Sequence, residues 1–452
     1  MPPKREKYST PLVYKIGRGV AGMAFTVAGW TGLFNEDPQP PVNTKKTPSK
    51  SASKRGKATQ KTPPKSASKR GKAIRKSTEP SEEPGDFYPQ QEDENPKIVA
   101  AGSSGCAYRP RMKCIEPDLE RLAVNREATG LKLISKLCPR SEDRAPCREE
   151  LLEVNKPVLR NSDPTNKYHI GGPILCTPDI GLNPEHTILR KPNDCPPATG
   201  HPNKDILIYE DGGTSLQKYI DKGSAGRNVS KVLYGFLNLF EGLSIMNTQN
   251  FYHRDIKPLN ITVGTSKNPK YRFIDFGMAF TYPPEQKLPT GWVELDLQTY
   301  TYNYTWWPLD ARILLPTKDK GSSIRDIINV WGVSVSQFLI HYYRQYGFDS
   351  QYYDTIDGLF TAMTNYMESL YRKRRQMQSE IIRKTDIFAL GCSLYESVLP
   401  EIESRSLIGG HLEYFFHASK VLHIDSRIRP DATQFLAMYR TLIENLKTQG
   451  LI

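Results

Sequence analysis

FYHRDIKPLNITV, Phe251 to Val263, is followed twelve residues after Asn260 by RFIDFGMAF, Arg272 to Phe280. The first stretch sets His253, Arg254 and Asp255 in a row, then Lys257 and Asn260; the second holds Asp275, Phe276 and Gly277. Between them they supply two carboxylates, a carboxamide and an ammonium. Asp255 offers a proton acceptor, Lys257 a positive charge two residues on, and Asn260 with Asp275 offers oxygens of the kind a hard divalent cation selects.

In order and separation the two stretches resemble the protein kinase signatures H-R-D-x-K-x-x-N and D-F-G. The resemblance implies phosphoryl transfer from ATP with magnesium. Little covalent chemistry is needed, but a hydroxyl must be oriented and several anionic oxygens neutralised. Asp255 would accept the hydroxyl proton, Lys257 would stand near the transferred phosphate, and Asn260 and Asp275 would hold magnesium. His253 and Phe276 are read as packing residues. Lys257 followed by Pro258 is the form typical of serine/threonine kinases, so serine and threonine hydroxyls are the expected acceptors.

Upstream, ILIYEDGGTSLQKYI (Ile206 to Ile220) reads as a strand, a Gly-Gly break and a helix start. It is similar to the kinase hinge, where backbone near Glu210 to Gly212 would hold adenine. KIVAAGSSGCAY (Lys97 to Tyr108) is similar to the phosphate loop, with Gly102 and Gly105 retained and Ala100 in place of the first glycine. LKLISKL (Leu131 to Leu137) alternates as a half-buried strand does. Lys136 is the choice for the ATP lysine, with Lys132 as rival, and the long distance from Gly105 implies an insertion. CREELLEVNKPVL is helical up to Pro157. Of Glu149, Glu150 and Glu153, Glu150 is the choice for the lysine's partner, because Leu151, Val154 and Val158 follow it at buried-face spacings.

Downstream, YTWWPLDARIL stands where kinases carry A-P-E, and Asp310 is read as a partner for Arg429 of RIRPDA. Arg254 is a candidate grip for a phosphate on Thr281, Thr290, Thr299, Thr301 or Thr305. KTDIFALGCSLYE (Lys384 to Glu396) resembles the helix whose aspartate, here Asp386, braces the catalytic loop. Between Leu315 and Arg383 lies a tyrosine-rich insertion, about 316–383, read as added packing in preference to a docking surface.

The net charge is +13, and the thirteen lysines and arginines between Thr44 and Lys76, with no acid among them, account for all of it. They belong to a tandem repeat, TPSKSASKRGKATQK then TPPKSASKRGKAIRK, with too few apolar residues to fold. Lys45–Lys76 could neutralise nucleic-acid phosphates without reading sequence, or serve as a solvated linker or import signal. IGRGVAGMAF, residues 16 to 25, also has G-x-G-x-x-G spacing but lacks the following partners, and is read as a decoy. No apolar run reaches the roughly 18 to 20 residues that span a bilayer, so no membrane is expected. Seven scattered cysteines without a CxxC pair point to neither a disulfide framework nor zinc, and hence to a reduced, intracellular protein.

These readings combine into an α+β, two-lobed protein kinase-like fold behind a disordered basic tail. Residues 1–40 form an apolar, glycine-containing segment of unassigned role and 41–96 the tail and acidic spacer. Residues 97–211 form the small lobe and 212–452 the large lobe. The phrases G-S-S-G-C-A-Y-R-P and W-P are similar to those of serine/threonine kinases of large nucleocytoplasmic DNA viruses, such as iridoviruses. That resemblance implies synthesis in infected cells, in host cytoplasm or nucleus, or packaging in the virion. Two other readings stay open: a pseudokinase scaffold, and a DNA-associated structural protein.

Overall fold

The computed structural model describes residues 96–102, 104–142, 145–179, 195, 203–266, 268–282, 306–314, 323–334, 337–346 and 351–452. The IGRGVAGMAF segment, the basic repeat and Thr290, Thr299, Thr301 and Thr305 lie outside these residues.

Five strands, β1 (Lys97–Ala101), β2 (Cys106–Arg109), β3 (Leu133–Arg140), β4 (Ile174–Cys176) and β5 (Asn203–Glu210), pair antiparallel in the order β1-β2-β3-β5-β4. β3 alternates between buried and half-buried residues, as its sequence requires, but starts at Leu133 and continues to Arg140. The insertion between Gly105 and Lys136 is helix α1 (Pro117–Ala128). Helices α2 (Pro146–Val154) and α3 (Pro157–Ser162) follow β3. All three helices open on proline, whose missing N–H is one that a first helical turn leaves unpaired in any case.

Next come β6 (Thr214–Ser215), α4 (Leu216–Asp221), α5 (Ser224–Arg227), α6 (Val229–Thr248), β7 (Phe251–Tyr252), β8 (Ile261–Val263), β9 (Tyr271–Phe273) and β10 (Phe280–Thr281). The helices after them are α7 (Leu309–Leu314), α8 (Ile324–Ser334), α9 (Gln337–Tyr346), α10 (Ile356–Tyr371), α11 (Arg374–Glu403), α12 (Leu407–Ser419) and α13 (Ala432–Thr448). The helical core forms where α6 meets α13: the ring of Phe240 lies 4.7 Å from Phe435 and 4.8 Å from Tyr439. Tyr439 is buried, and its hydroxyl donates to Leu233 O at 2.9 Å, so its polar end is satisfied within the core. α13 is fixed at its start by a capping box between Asp431 and Gln434.

The tyrosine-rich insertion becomes α8, α9, α10 and the first turns of α11. Leu359, Met363 and Met367 are buried, and Tyr342 donates to Phe416 O at 3.1 Å, which is the packing role expected for this region. Its expected end at 383 is not a structural boundary, since α11 runs unbroken from Arg374 to Glu403.

The cysteine reading is corrected. Six of the seven cysteines are paired, as Cys106–Cys195, Cys114–Cys176 and Cys138–Cys147; Cys392 is free and buried. An odd count hid three bridges, two of them joining residues 89 and 62 positions apart. The cysteines therefore give no support to a reduced compartment. A bridge of the Cys114–Cys176 span restrains the unfolded chain by about 4 kcal/mol. Denaturant melting in excess dithiol, which opens all three bridges, should show a destabilisation of at least that order, whereas identical curves with and without the reductant would contradict the pairing. No helix among the described residues is long and apolar enough to cross a membrane.

Candidate active site

Two short antiparallel strand pairs bring the signature stretches together. β8 pairs with β9, Ile261 facing Phe273, so Asn260 and Asp275 emerge at the same end; Ile274 N donates to Asn260 O at 3.0 Å. β7 pairs with β10, Phe280 facing Tyr252, which returns the chain after Gly277 to the strand preceding His253. The interval between the motifs is thus set by the pairing.

Within the loop, Lys257 Nζ lies 2.9 Å from each oxygen of the buried Asp255 carboxylate, and Asn260 Nδ2 donates to Asp255 Oδ2 at 2.7 Å. Asp386 accepts from His253 N at 2.7 Å and Arg254 N at 2.8 Å, the brace expected of it. The ring of His253 packs 4.5 Å from Phe276. Arg254 and Asp275 hold left-handed backbone conformations, φ 66° and 64°, each a strain of about 1–3 kcal/mol that surrounding contacts must offset. The Arg254 guanidinium lies 5.0 Å from the Phe280 ring centre and 5.5 Å from that of Trp307, whose indole donates to Arg254 O at 2.8 Å.

Lys136 comes from the sheet. Its Nζ is 2.6 Å from Glu150 Oε2 on α2 and 2.9 Å from Asp275 Oδ1. Burial opposes the Lys136 ammonium, but the charges of Asp275 and Glu150 outweigh it and hold its pKa far above the usual lysine value. Burial raises the Glu150 carboxyl despite the pull of Lys136. Burial acts on Asp275 in the same sense, yet the charge and hydrogen bond of Lys136 bring it below the usual value. Lys132 instead precedes β3, exposed, and its carbonyl accepts from Asp211 N at 2.7 Å. Glu149 accepts from Ala145 N at 3.3 Å, and Glu153 pairs with Lys156, so neither takes the place of Glu150.

Gly102 and Gly105 form the β1–β2 turn, with Gly102 N donating to Gly105 O at 2.9 Å. A Cβ on Gly105 would stand 2.2 Å from Leu137 O, so close approach to β3 alone demands that glycine. Among the described residues, a Cβ on Gly102 would meet nothing nearer than Gly105 O at 3.8 Å. At the expected hinge, the Glu210 side chain is spent on Arg272 at 2.8 Å, leaving its backbone as the group that could meet a base. A Cβ on Gly212 would stand 2.6 Å from Thr262 Oγ1, so this glycine lets the chain pass β8 closely.

Sequence reasoning missed four anchors. Tyr209 donates to Glu150 Oε1 at 2.7 Å. Buried Asp205 of β5 takes Arg140 of β3 at 2.8 Å and Arg148 of α2 at 2.9 Å, and Arg109 of β2 pairs with Asp211 at 2.5 Å. The Cys138–Cys147 bridge adds a covalent tie between β3 and α2. Only an alternation count on β5, placing Asp205, Leu207 and Tyr209 on the α2 side, could have signalled the first two.

The donors suit a hard cation. Asn260 spends its amide nitrogen on Asp255 and so keeps its oxygen for a metal, and Asp275, with Oδ1 on Lys136, retains a second oxygen. Lys136 is a fixed charge of the sign a polyphosphate requires.

No protein-family model matches the chain. Among curated proteins it is similar to "Cell division control protein 2 homolog 3" of Trypanosoma brucei brucei, 34% identical over 119 residues, covering 25% of this chain and 33% of the relative. "Mitogen-activated protein kinase 15" of Caenorhabditis elegans is 27% identical over 161 residues, covering 34% and 31%. "Probable serine/threonine-protein kinase HSL1" of Saccharomyces cerevisiae is 33% identical over 86 residues, covering 19% and 6%. The chain thus spans a third or less of the length of these curated relatives. They carry no support for the viral resemblance, which rests on the phrases that suggested it. Low in identity and partial in coverage, these similarities support a protein kinase family for this chain, and with it a mixed α/β fold compatible with that family.

Proposed function

We propose that the chain is a serine/threonine protein kinase that uses ATP and magnesium, with 97–211 covering the nucleotide and 212–452 receiving the protein substrate. One observation carries the reading: Lys136, Glu150 and Asp275, from a strand, a helix and a loop far apart in sequence, meet at 2.6 and 2.9 Å. A scaffold kept only for its shape has no need of a half-buried lysine between two carboxylates, since taking charges out of water is costly unless they are paired and used.

In this reading the Asp255 carboxylate receives the substrate hydroxyl's proton and orients its oxygen. Lys257, already on Asp255, offsets negative charge as the phosphoryl group passes. Asn260 and Asp275 would hold magnesium, which supplies charge neutralisation at the phosphates. Lys136 would take phosphate oxygens, held in place by Glu150; Gly102 would admit phosphates above its turn; and Glu210 to Gly212 would meet adenine through backbone groups.

The test is calorimetry with magnesium and a non-hydrolysable ATP analogue. Binding should require the metal and weaken at least about tenfold in Lys136→Met, the scale of one lost charge-assisted hydrogen bond. Equal affinity in the variant would remove Lys136 from the site.

A further inference from the structure

A carboxylate rotates easily about its last side-chain torsion, so one ion pair does not fix which oxygen faces which partner. Glu150 has a second partner. In the β3–β5 register Ile134 faces Tyr209 and Lys136 faces Leu207, and alternation turns Lys136, Leu207 and Tyr209 to one face. That face is the one α2 covers: Tyr209 and Leu151 pack against the cluster of Cys138, Cys147 and Leu207. From there the Tyr209 hydroxyl reaches Glu150 Oε1 at 2.7 Å, while Lys136 holds Oε2 at 2.6 Å. The phenol O–H is the donor to this carboxylate oxygen, and burial together with the nearby Glu150 charge pushes the Tyr209 phenol well above its ordinary pKa.

We propose that Tyr209 is a positioning residue for phosphoryl transfer: its hydroxyl locks the Glu150 carboxylate so that Lys136 is held between Glu150 and the nucleotide phosphates. The inference rests on the kinase reading above. Its consequence is directional. If Glu150 turns away, Lys136 has Asp275 as its remaining partner at 2.9 Å, and is drawn onto the carboxylate that the metal needs. Losing the hydroxyl should therefore weaken both magnesium–nucleotide binding and turnover, and only through Glu150.

Wild type, Tyr209→Phe, Glu150→Gln and the double variant are compared in full-length protein. The readouts are kcat/KM for magnesium-ATP, calorimetric affinity for magnesium with a non-hydrolysable ATP analogue, and melting temperature. Tyr209→Phe, which keeps the ring, should lose about 10- to 100-fold in kcat/KM and weaken analogue binding with little change in melting, the scale of one hydrogen bond to a charged group. In the Glu150→Gln background the same change should add less than about twofold. Two results overturn the inference: Tyr209→Phe within about twofold of wild type, or losses that multiply in the double variant. Inactive wild type would defeat the kinase reading instead, and the binding arm would still decide whether Tyr209 acts through Glu150.

Discussion

Asp255→Asn is expected to lower turnover by about 10²- to 10⁴-fold, the usual worth of a positioned general base, while affinity for magnesium-ATP stays near wild type. The separation follows from where Asp255 sits. Its carboxylate takes Lys257 and only the amide nitrogen of Asn260, which leaves the Asn260 oxygen assigned to magnesium untouched, and it makes no contact with Lys136, whose partners are Glu150 and Asp275. An asparagine still accepts a hydrogen bond through one oxygen, so the loop geometry braced by Asp386 should persist. Steady-state kinetics beside calorimetry resolve the two effects. Turnover within about tenfold of wild type would remove Asp255 as the base, because even a weak general base supplies more than that.

The second large effect is on folding. Arg429 Nη2 meets Asp310 Oδ1 at 3.0 Å, and neither side chain has any exposed surface. Arg429 also donates to Lys384 O at 2.9 Å and His423 O at 3.0 Å, and Asp310 Oδ2 accepts from Ser426 N at 2.7 Å. Burial raises the Asp310 carboxyl against the pull of Arg429, and the ion pair at 3.0 Å is the contact that offsets that burial. Arg429→Met leaves that carboxylate without its counter-charge and should cost about 3–5 kcal/mol in equilibrium denaturation. Asp310→Leu combined with Arg429→Met should cost less than Arg429→Met alone, since two apolar groups need no partner. A loss under about 1 kcal/mol for Arg429→Met would show the pair to be dispensable. The effect should reach the active site, because Trp307, just before α7, donates its indole N–H to Arg254 O beside Asp255.

What could be read from sequence has a physical boundary. The Asp255 and Asp275 loops were legible because their residue types and spacing match a known pair of signatures, and the pairing of β8 with β9 brings Asn260 and Asp275 to one end. Lys136 and Glu150 were legible because a strand period and a helix period each bury one side. Tyr209 and Asp205 were not, for alternation groups them on one face of β5 without saying that α2 covers it, and the two long-range bridges were not, for no local period pairs cysteines 62 or 89 positions apart. Gly105 shows the opposite trap. Its place in a glycine pattern suggests phosphate, yet contact with Leu137 O is reason enough for it. The same holds for Glu210, whose carboxylate serves Arg272.

α2 is tied to the sheet by Lys136–Glu150, Tyr209–Glu150, Arg148–Asp205 and Cys138–Cys147 together. With four ties, displacement of α2 means breaking ion pairs, a hydrogen bond and a covalent bond at once, so Glu150 is held beside Lys136 in the free protein.

The most direct measurement is transfer of labelled γ-phosphate from ATP, with magnesium, to a generic protein and to the chain itself, followed by identification of the labelled amino acid. Label on serine and threonine, lost on chelation of magnesium and in Asp275→Asn, is the predicted result. No transfer by the wild-type protein, or equal transfer by Asp255→Asn and Asp275→Asn, would contradict it.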